Sequence, residues 1–252
     1  MREPCCDEIN AVIGQLAERK SVRVFEAKEI PEREKQAIVY AATMAPTAGN
    51  QQLYTILDIT DTELKKRLSE TCDHQPFIAQ ARMVLIFCAD CLKWYDAYNV
   101  ARAEPRKPGV GDLLLAVSDA NIAAQNAVTA AQSLGIGSCY IGDIMEQAEI
   151  HRELLQLPSW VFPAAMLVFG YPTEQQKQRE KPARVDRRFI VHENGYRRMT
   201  EAELREMFAE RAGVSGFDEW MKRFCERKYN SAFSREMTRS VGAYLKDYPE
   251  DI

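Results

Sequence analysis

The sequence is poor in histidine and contains no apolar run long enough to cross a membrane. Its three histidines, His74, His151 and His192, stand far apart, so we expect no histidine-based metal site. The most apolar stretch, residues 112–134, is interrupted by Asp119 and by several amides, which argues against a membrane span. The N-terminal residues also lack the apolar centre of a signal peptide. We therefore expect a cytoplasmic protein with no membrane partner.

The charge and the glycine pattern exclude further classes of function. The net charge of -4 over 252 residues argues against a general nucleic-acid binder, which needs a basic surface. Gly135 and Gly137 resemble the start of a dinucleotide fingerprint, but Tyr140 stands at the third glycine position. A helix also precedes these glycines instead of following them. We therefore expect neither a Rossmann domain nor a P-loop. We also expect no nucleic-acid partner.

The seven cysteines form no recognisable framework. Their odd number suits free thiols in a reducing compartment. Cys88 and Cys91 form a CxxC pair, but it lacks partners at metal-ligand spacing. We expect both thiols to be chemically idle, and we assign no role to the adjacent Cys5 and Cys6.

Amphipathic patterns predict many helices. The longest covers residues 112–134, and its alanines and other small residues suit a helix surrounded by protein on most sides. Its predicted buried stripe consists of Leu113, Ala116, Val117, Ala120, Ala124, Val128 and Ala131. The other predicted helices cover residues 7–18 with Asp7 as N-cap, 31–44 from Pro31, 62–71, 92–101, 146–155, 201–212, 216–228 and 233–246.

Apolar runs predict four or five strands. Those at residues 53–59, 83–89 and 161–170 are the clearest, and a short strand follows the long helix between Gly135 and Asp143. The segment at 83–89 is apolar throughout and should be central. Helices thus alternate with a few strands, which predicts an α+β protein with one sheet enclosed by helices.

Two polar segments allow two interpretations each, and a third suits one. Residues 19–23 carry three cations and one hydroxyl, which suit a phosphate site or a solvated basic turn. Residues 45–52 form a loop rich in hydrogen-bond donors, or only the turn into the next strand. The polar run at 173–189 suits a solvated linker. Residues 93–111, rich in proline and glycine at their C-terminal end, are a candidate lid.

Four motifs resemble one family. Residues 19–25 resemble the opening R-x-S-x-R-x-F of the FMN-dependent nitroreductases, and residues 45–52 resemble the APSxxNxQ loop of that family. Residues 135–143 are similar to its G-L-G-x-x-x-I-G segment, and residues 181–184 resemble its late K-P-x-R. The motifs follow in order, and the layout is closest to the branch of NADPH-dependent oxygen-insensitive nitroreductases and flavin reductases.

The resemblance implies an architecture. It predicts a nitroreductase-like α+β fold, with a mainly antiparallel central sheet of four to five strands and a long buried central helix. Residues 1–199 would form the FMN-binding domain, and residues 200–252 a helical C-terminal extension packed on it or on its partner. The chain would be a homodimer with two active sites at the interface.

The resemblance also implies one bound FMN per subunit and names its ligands. The phosphate would be held from two sides, and the ring would be lined by one turn and covered by a loop of the partner subunit. The phosphate ligands would be Arg19, Lys20, Ser21, Arg23, Lys181 and Arg184. The loop of the partner subunit would contribute Pro46, Thr47, Ala48 and Asn50. The ring would be lined by Tyr140, Ile141, Gly142 and Asp143, and Gln75 would form a hydrogen bond with its polar edge.

One residue departs from the branch. Asp143 stands where a second glycine is usual, and a carboxylate near the ring would disfavour an anionic reduced flavin unless it points away. In the C-terminal extension, Arg223, Arg227 and Lys228 suit either the 2′-phosphate of NADPH or a solvated helix face.

The implied activity is a two-step hydride transfer from NAD(P)H through FMN to a small oxidised acceptor, such as a nitroaromatic, a quinone or free flavin. Because the cofactor carries the chemistry, no catalytic acid or base is assigned. The alternatives are a specialised relative, such as a dehalogenase or an azoline-type dehydrogenase, a flavin-binding protein without turnover, and a helical interaction protein without cofactor.

Overall fold

The computed structural model describes residues 10–248, and their contacts divide the chain into two compact units. The first unit runs to Arg179 and resumes at Met237, and the second is Glu180–Glu236. The two units are defined by contacts within the chain. The boundary after residue 199 was predicted for the cofactor-binding domain and stays a prediction. Within residues 10–248, no helix combines the length and apolar character that a membrane crossing requires.

The described residues contain four strands and eleven α-helices, as expected for the α+β class. The strands are β1 Tyr54–Asp58, β2 Met83–Asp90, β3 Gly137–Ile141 and β4 Val161–Gly170. The helices are α1 Ala11–Glu18, α2 Glu32–Thr43, α3 Thr62–Thr71, α4 Pro76–Gln80, α5 Leu92–Val100, α6 Val110–Ser133, α7 Ala148–Leu155, α8 Glu174–Gln178, α9 Glu201–Ala212, α10 Phe217–Lys228 and α11 Ala232–Leu245.

The sheet is the centre of the first unit. Its order is β1-β2-β4-β3, and all three strand pairs are antiparallel. Every residue of β2 and β4 is buried, which confirms the central position predicted from the apolar run at 83–89. Alternate side chains of β2 enter two separate cores: Leu85 and Phe87 face one, and Val84 and Ile86 the other.

Helix α6 covers one face of this sheet. Ala116, Ala120 and Ala124 are fully buried, and such small side chains allow the helix backbone to approach the strands closely. The predicted stripe is confirmed except at Val117, which is only half-buried. The opposite face of α6 is exposed and still apolar, notably at Leu114. The described part of the chain therefore covers only one side of the helix.

The end of the described chain completes the core of the first unit. Tyr244 and Tyr248 are buried, and the ring of Tyr244 meets Phe162 edge-on at 5.1 Å between centroids. The indole N–H of Trp160 donates to the carbonyl of Asp247 over 2.6 Å. The C-terminal part of α11 thus packs as core.

In the second unit, α9 and α10 pack through aromatic rings. Trp220 lies 4.9 Å from Phe224 and 5.8 Å from Phe208 between ring centroids. Thr200 caps α9 and exchanges hydrogen bonds with Glu203, the capping box that fixes a helix start.

Several predicted boundaries need correction. Helix α1 begins at Ala11 behind the N-cap Asn10, whereas the predicted cap Asp7 lies outside the described residues, as do Cys5 and Cys6. Pro31 is the N-cap of α2 and not its first residue. The helix predicted from residue 146 begins at Ala148, because Gln147 has a left-handed conformation with a φ of 48°. The polar run at 173–189, interpreted as a linker, contains the short helix α8 and a 3-10 turn.

Candidate functional site

Residues 19–25, here called the basic strap, run along the edge of the sheet. Ser21 forms a parallel bridge with Ser138 of β3, and the Val22 N–H donates to the Ser138 carbonyl over 2.9 Å. Phe25 forms an antiparallel bridge with Pro172, just beyond β4. The basic strap is therefore held beside the strands that lead toward the predicted flavin turn.

Two glycines let the basic strap approach the sheet so closely. A Cβ at Gly137 would stand 2.6 Å from Val22 Cγ2, and a Cβ at Gly170 would stand 2.7 Å from the Phe25 ring. Real Cβ atoms essentially never come so near, so a larger residue at either position would push the basic strap away.

The cationic groups of the basic strap converge on β3. Burial raises the pKa of the Cys139 thiol, and Arg23, Ser21 and Arg19 act in the opposite direction from nearby positions. Arg19 likewise opposes the effect of burial on the neighbouring Tyr140. The structure thus brings two guanidinium groups and a hydroxyl together where the resemblance places a phosphate.

Arg19 has an unusual environment. Its Nε is buried, and among residues 10–248 no group lies in position to accept its hydrogen bond. A buried donor without an acceptor is costly, and an anion bound beside the basic strap would supply one. This orphaned donor fits the predicted FMN phosphate.

Lys20 is engaged elsewhere. Its ammonium donates to the Lys177 carbonyl over 2.7 Å and also to the Arg179 carbonyl, at the C-terminal end of α8. The Arg179 guanidinium donates in return to the Ser21 carbonyl. These bonds tie the basic strap to α8, and the phosphate role of Lys20 stays a prediction.

The predicted flavin turn begins at the end of β3. Tyr140 is half-buried and Ile141 is buried, and a 3-10 turn then covers Gly142–Met145. The Tyr140 hydroxyl donates to Gln125 Oε1 over 3.4 Å, and burial raises its pKa to about 12, so it stays protonated at neutral pH.

The 3-10 turn is braced from behind. Ser240 Oγ of α11 donates to the Met145 carbonyl over 2.7 Å and accepts from the Ala148 N–H over 2.9 Å. His151 of α7 places Nδ1 3.0 Å from the Ile144 carbonyl. Both side chains are fully buried, so the turn is held by fixed partners.

Gln75 and Asp143 both interact with Cys72. Gln75 Nε2 donates to the Cys72 carbonyl over 2.9 Å. The pKa of the Cys72 thiol is raised, first by burial and then by the Asp143 carboxylate. Gln75 is thus held by the backbone of Cys72, and the Asp143 carboxylate is near enough to that thiol to raise its pKa.

The loop at residues 46–52, here called the covering loop, is stapled by a residue that the sequence reasoning missed. The Asp119 carboxylate of α6 accepts the Ala48 N–H over 3.0 Å and the Leu53 N–H over 3.2 Å. Asp119 is only 2% exposed. The sequence held one signal for this role, since Asp119 precedes Ala120, a residue of the predicted buried stripe. A buried carboxylate requires hydrogen-bond partners.

The covering loop has a demanding backbone. Gly49, Asn50 and Gln52 all have left-handed φ values, at 57°, 57° and 46°. Thr47 Oγ1 accepts the Gln52 N–H over 3.2 Å, which closes the loop on itself. Pro46 and Asn50 are exposed, while Thr47 and Ala48 are half-buried.

The remaining predicted ligands belong to the second unit. Lys181 and Arg184 lie there without regular secondary structure, and their phosphate role stays a prediction of the resemblance. On α10, Arg223 pairs with Glu219 at 3.7 Å, and Arg227 lies over the Phe224 ring at 5.3 Å.

The CxxC thiols are not positioned for chemistry. Cys88 and Cys91 are both buried, and burial, followed by nearby carboxylates, raises each pKa to about 12. Their thiolates are therefore scarce at neutral pH. Within residues 10–248, no group of three or more His, Cys, Asp or Glu side chains could hold a metal ion.

Comparison with known proteins identifies the family. The model of the nitroreductase family matches residues 16–171, more than half of the chain. An oxygen-insensitive NADPH nitroreductase of Salmonella typhimurium is 31% identical over 84% of this chain and 88% of its own. An FMN reductase [NAD(P)H] of Bacillus subtilis is 29% identical over 94% and 92%. The solved structure of B. megaterium NfrA2 superposes with a TM-score of 0.79 at 27% identity, over 96% of this chain and 100% of that one. The chain belongs to the nitroreductase family and has its α+β fold.

Proposed function

We propose that this chain is an FMN-dependent NAD(P)H oxidoreductase of the nitroreductase, flavin reductase or quinone reductase type. The observation that carries the proposal is the convergence of Arg19, Arg23 and Ser21 beside β3, with the buried Nε of Arg19 lacking an acceptor. A phosphate dianion supplies that acceptor, and charge-assisted hydrogen bonds are the strongest kind. The relatives named as FMN reductase and NADPH nitroreductase support the same cofactor and donor.

The residues of this chain position the cofactor. Arg19, Ser21 and Arg23 hold the phosphate, with Lys20 on the same segment, and the roles of Lys181 and Arg184 rest on the resemblance alone. The turn at residues 140–143 and Gln75 line the ring. When bound, FMN would supply the hydride-transfer chemistry by which NAD(P)H, a proton and a quinone become NAD(P)+ and a hydroquinone. No side chain is assigned as acid or base, since the cofactor carries the chemistry.

The active form is a homodimer. An apolar surface extends over α1, α2 and α6, three helices that pack side by side. Its exposed side chains are Val12, Leu16, Tyr40, Met44, Leu114, Leu115 and Ile122. Apolar patches of this kind mark interfaces. The covering loop is bonded to the same helix α6 through Asp119 and contributes Pro46, Thr47, Ala48 and Asn50 to the flavin of the partner subunit.

The acceptor is a small oxidised molecule, namely a nitroaromatic, a quinone or free flavin. A flavin-binding protein without turnover is the alternative, and a dehalogenase or an azoline-type dehydrogenase is a specialised variant of the main proposal. A cytoplasmic location remains a prediction of the sequence.

Anaerobic stopped-flow spectroscopy of the purified protein tests the proposal. We expect a yellow protein whose flavin absorbance bleaches with NADPH or NADH and returns on mixing with 1,4-benzoquinone, nitrofurazone or FMN. A protein that stays yellow with both nucleotides is a flavin binder without turnover. A colourless protein that takes up no added FMN would refute the cofactor assignment.

A further inference from the structure

A cavity separate from the basic strap and the flavin turn lies against α5. Its volume is about 340 Å³, within the range of small-molecule pockets. Its walls include Gln51 of the covering loop, Trp94 and Tyr98 of α5, Pro105 and Leu115. The C-terminal end of the covering loop therefore forms part of the cavity wall.

The cavity offers aromatic surface to a ligand. The rings of Trp94 and Tyr98 are 5.6 Å apart between centroids and tilted by 43°. The indole N–H of Trp94 donates to the Gln51 carbonyl over 2.7 Å, which fixes the ring and joins the cavity wall to the covering loop. With that donor satisfied, what Trp94 presents to a ligand is its apolar ring, which favours a planar aromatic partner.

The charges at the cavity cancel. Arg106 and Asp112 form a two-point ion pair with distances of 2.6 and 2.9 Å, and the Gly109 N–H also donates to Asp112. Because Arg106 already has a carboxylate partner, an anionic ligand would have to displace Asp112. Nucleotide phosphates are thereby disfavoured, and an uncharged ligand is preferred.

The thiol of Cys91 in the cavity wall is not expected to react with an electrophilic ligand. Cys91 is buried, and burial, then Asp112 and Asp90, raise its pKa to about 12. Quinones react with thiolates, which are the nucleophilic form of cysteine. A protonated thiol leaves the cavity compatible with a quinone.

We propose that this cavity is a subsite for an uncharged aromatic ring that extends from the reducible ring of the acceptor, and that Tyr98 and Trp94 set a preference for two-ring acceptors. The inference rests on the proposed function, because Gln51 belongs both to the cavity wall and to the loop that covers the flavin. The reducible ring remains at the flavin, and the second ring lies against the aromatic side chains of α5 that line the cavity.

Two quinones that differ by one inert ring test the subsite. The parent should reduce 2-phenyl-1,4-benzoquinone with a higher kcat/KM than 1,4-benzoquinone. Tyr98→Ala should lower this ratio about twofold to tenfold, mainly through the KM of the phenyl compound, as expected for a lost aromatic contact. Tyr98→Phe keeps the ring and should keep the ratio, as should Val100→Ala, an 86% exposed position of the same helix outside the cavity wall.

The outcomes separate the subsite from the proposed function. An unchanged ratio in Tyr98→Ala, or equal losses with both quinones, would overturn the subsite while leaving the oxidoreductase in place. If the parent holds no FMN or is not reduced by NAD(P)H, the proposed function fails. The cavity is then tested by calorimetric titration with 4-hydroxybiphenyl, an uncharged probe without a reducible group. Weaker binding to Tyr98→Ala than to the parent would support the site, and equal or absent binding would overturn it.

Discussion

At the scale of single residues, Arg19 is the most informative. A buried guanidinium nitrogen without an acceptor, in the part of the chain that the structure describes, is unfavourable in the folded protein alone. An anion bound beside residues 19–25 would supply the missing acceptor. The Lys20 ammonium of this motif donates to the backbone carbonyls of Lys177 and Arg179.

We predict that Arg23→Ala weakens FMN binding tenfold to a hundredfold. The change removes a charge-assisted hydrogen bond, which contributes about 1.5–3 kcal/mol. Fluorescence titration of the apoprotein with FMN measures the dissociation constant. Arg33→Ala is the matched control, because Arg33 is an exposed cation on α2. Parental affinity in Arg23→Ala would show that the phosphate binds elsewhere.

We also predict that Asp119→Asn destabilises the fold by about 1–3 kcal/mol. The amide of asparagine can replace only one carboxylate acceptor, and its NH2 group would face the N–H of Ala48 or Leu53. Urea unfolding measures the change, with Asp96→Asn as an exposed control on α5. A loss below about 0.5 kcal/mol, the usual size for surface changes, would mean that the covering loop is held by other contacts.

These two residues show what the sequence could and could not reveal. Arg23 belongs to a motif of seven consecutive residues, which can be recognised in the sequence. The partners of Asp119 lie 71 and 66 positions away along the chain, so the sequence does not reveal them. Likewise, the engagement of Lys20 by carbonyls near residue 178 depends on the sheet placing two distant segments side by side. Residue type predicts which chemistry is possible, and the fold decides which partner is reached.

At the scale of elements, the turn after β3 is coupled to a histidine. His151 Nδ1 faces the Ile144 carbonyl and must therefore carry the proton, which leaves Nε2 to accept from Thr71 Oγ1 at 2.9 Å. A neutral imidazole satisfies both contacts. Burial lowers the pKa of His151 from its ordinary value of 6.5.

This arrangement predicts acid sensitivity. Below pH 6.5 the unfolded chain takes up a proton at His151 that the folded chain does not, so the free energy of unfolding decreases as the pH falls. The slope from this group is at most about 1.4 kcal/mol per pH unit. Denaturant unfolding between pH 7 and pH 5 measures it, and His151→Gln should flatten the slope while His74→Gln, at an exposed position, should not. An equal slope in His151→Gln would assign the proton uptake to another group.

The elements themselves were largely predictable. The bounds of α3 match the predicted 62–71, and α6 differs from 112–134 by two residues or fewer at each end. The clear signals were the alanine-rich buried stripe and the continuous apolar runs of β2 and β4. Helix α8 was missed because its residues are polar and its single buried side chain, Gln176, is an amide.

At the scale of the whole molecule, the pairing order β1-β2-β4-β3 could not be read from the sequence. Alternation predicts strands, but the choice of neighbours depends on non-local contacts. The resemblance supplied the antiparallel arrangement, and the structure supplies the order that places β3 at an edge beside the basic strap.

We predict an obligate homodimer formed through the exposed apolar faces of α1, α2 and α6. Light scattering at low micromolar concentration should give twice the mass of the chain, and the melting temperature should rise with protein concentration. Ile122→Glu should dissociate the dimer, since a charge buried at an apolar interface is costly. Ile150→Glu is the control, because Ile150 is 39% exposed, close to the 41% of Ile122, and lies on α7. A monomer that holds FMN and oxidises NAD(P)H would refute the shared site.

The position of α11 has a consequence for synthesis of the protein. Ser240 donates to the turn after β3, and Tyr244 and Tyr248 are buried in the core, so strands that are made early need residues that are made about a hundred positions later. While these residues are still inside the ribosome, the nascent sheet lacks part of its cover and its turn lacks a brace. The first unit can finish folding only after residues 237–248 have left the ribosome, and a premature stop codon near residue 237 would therefore yield an open core.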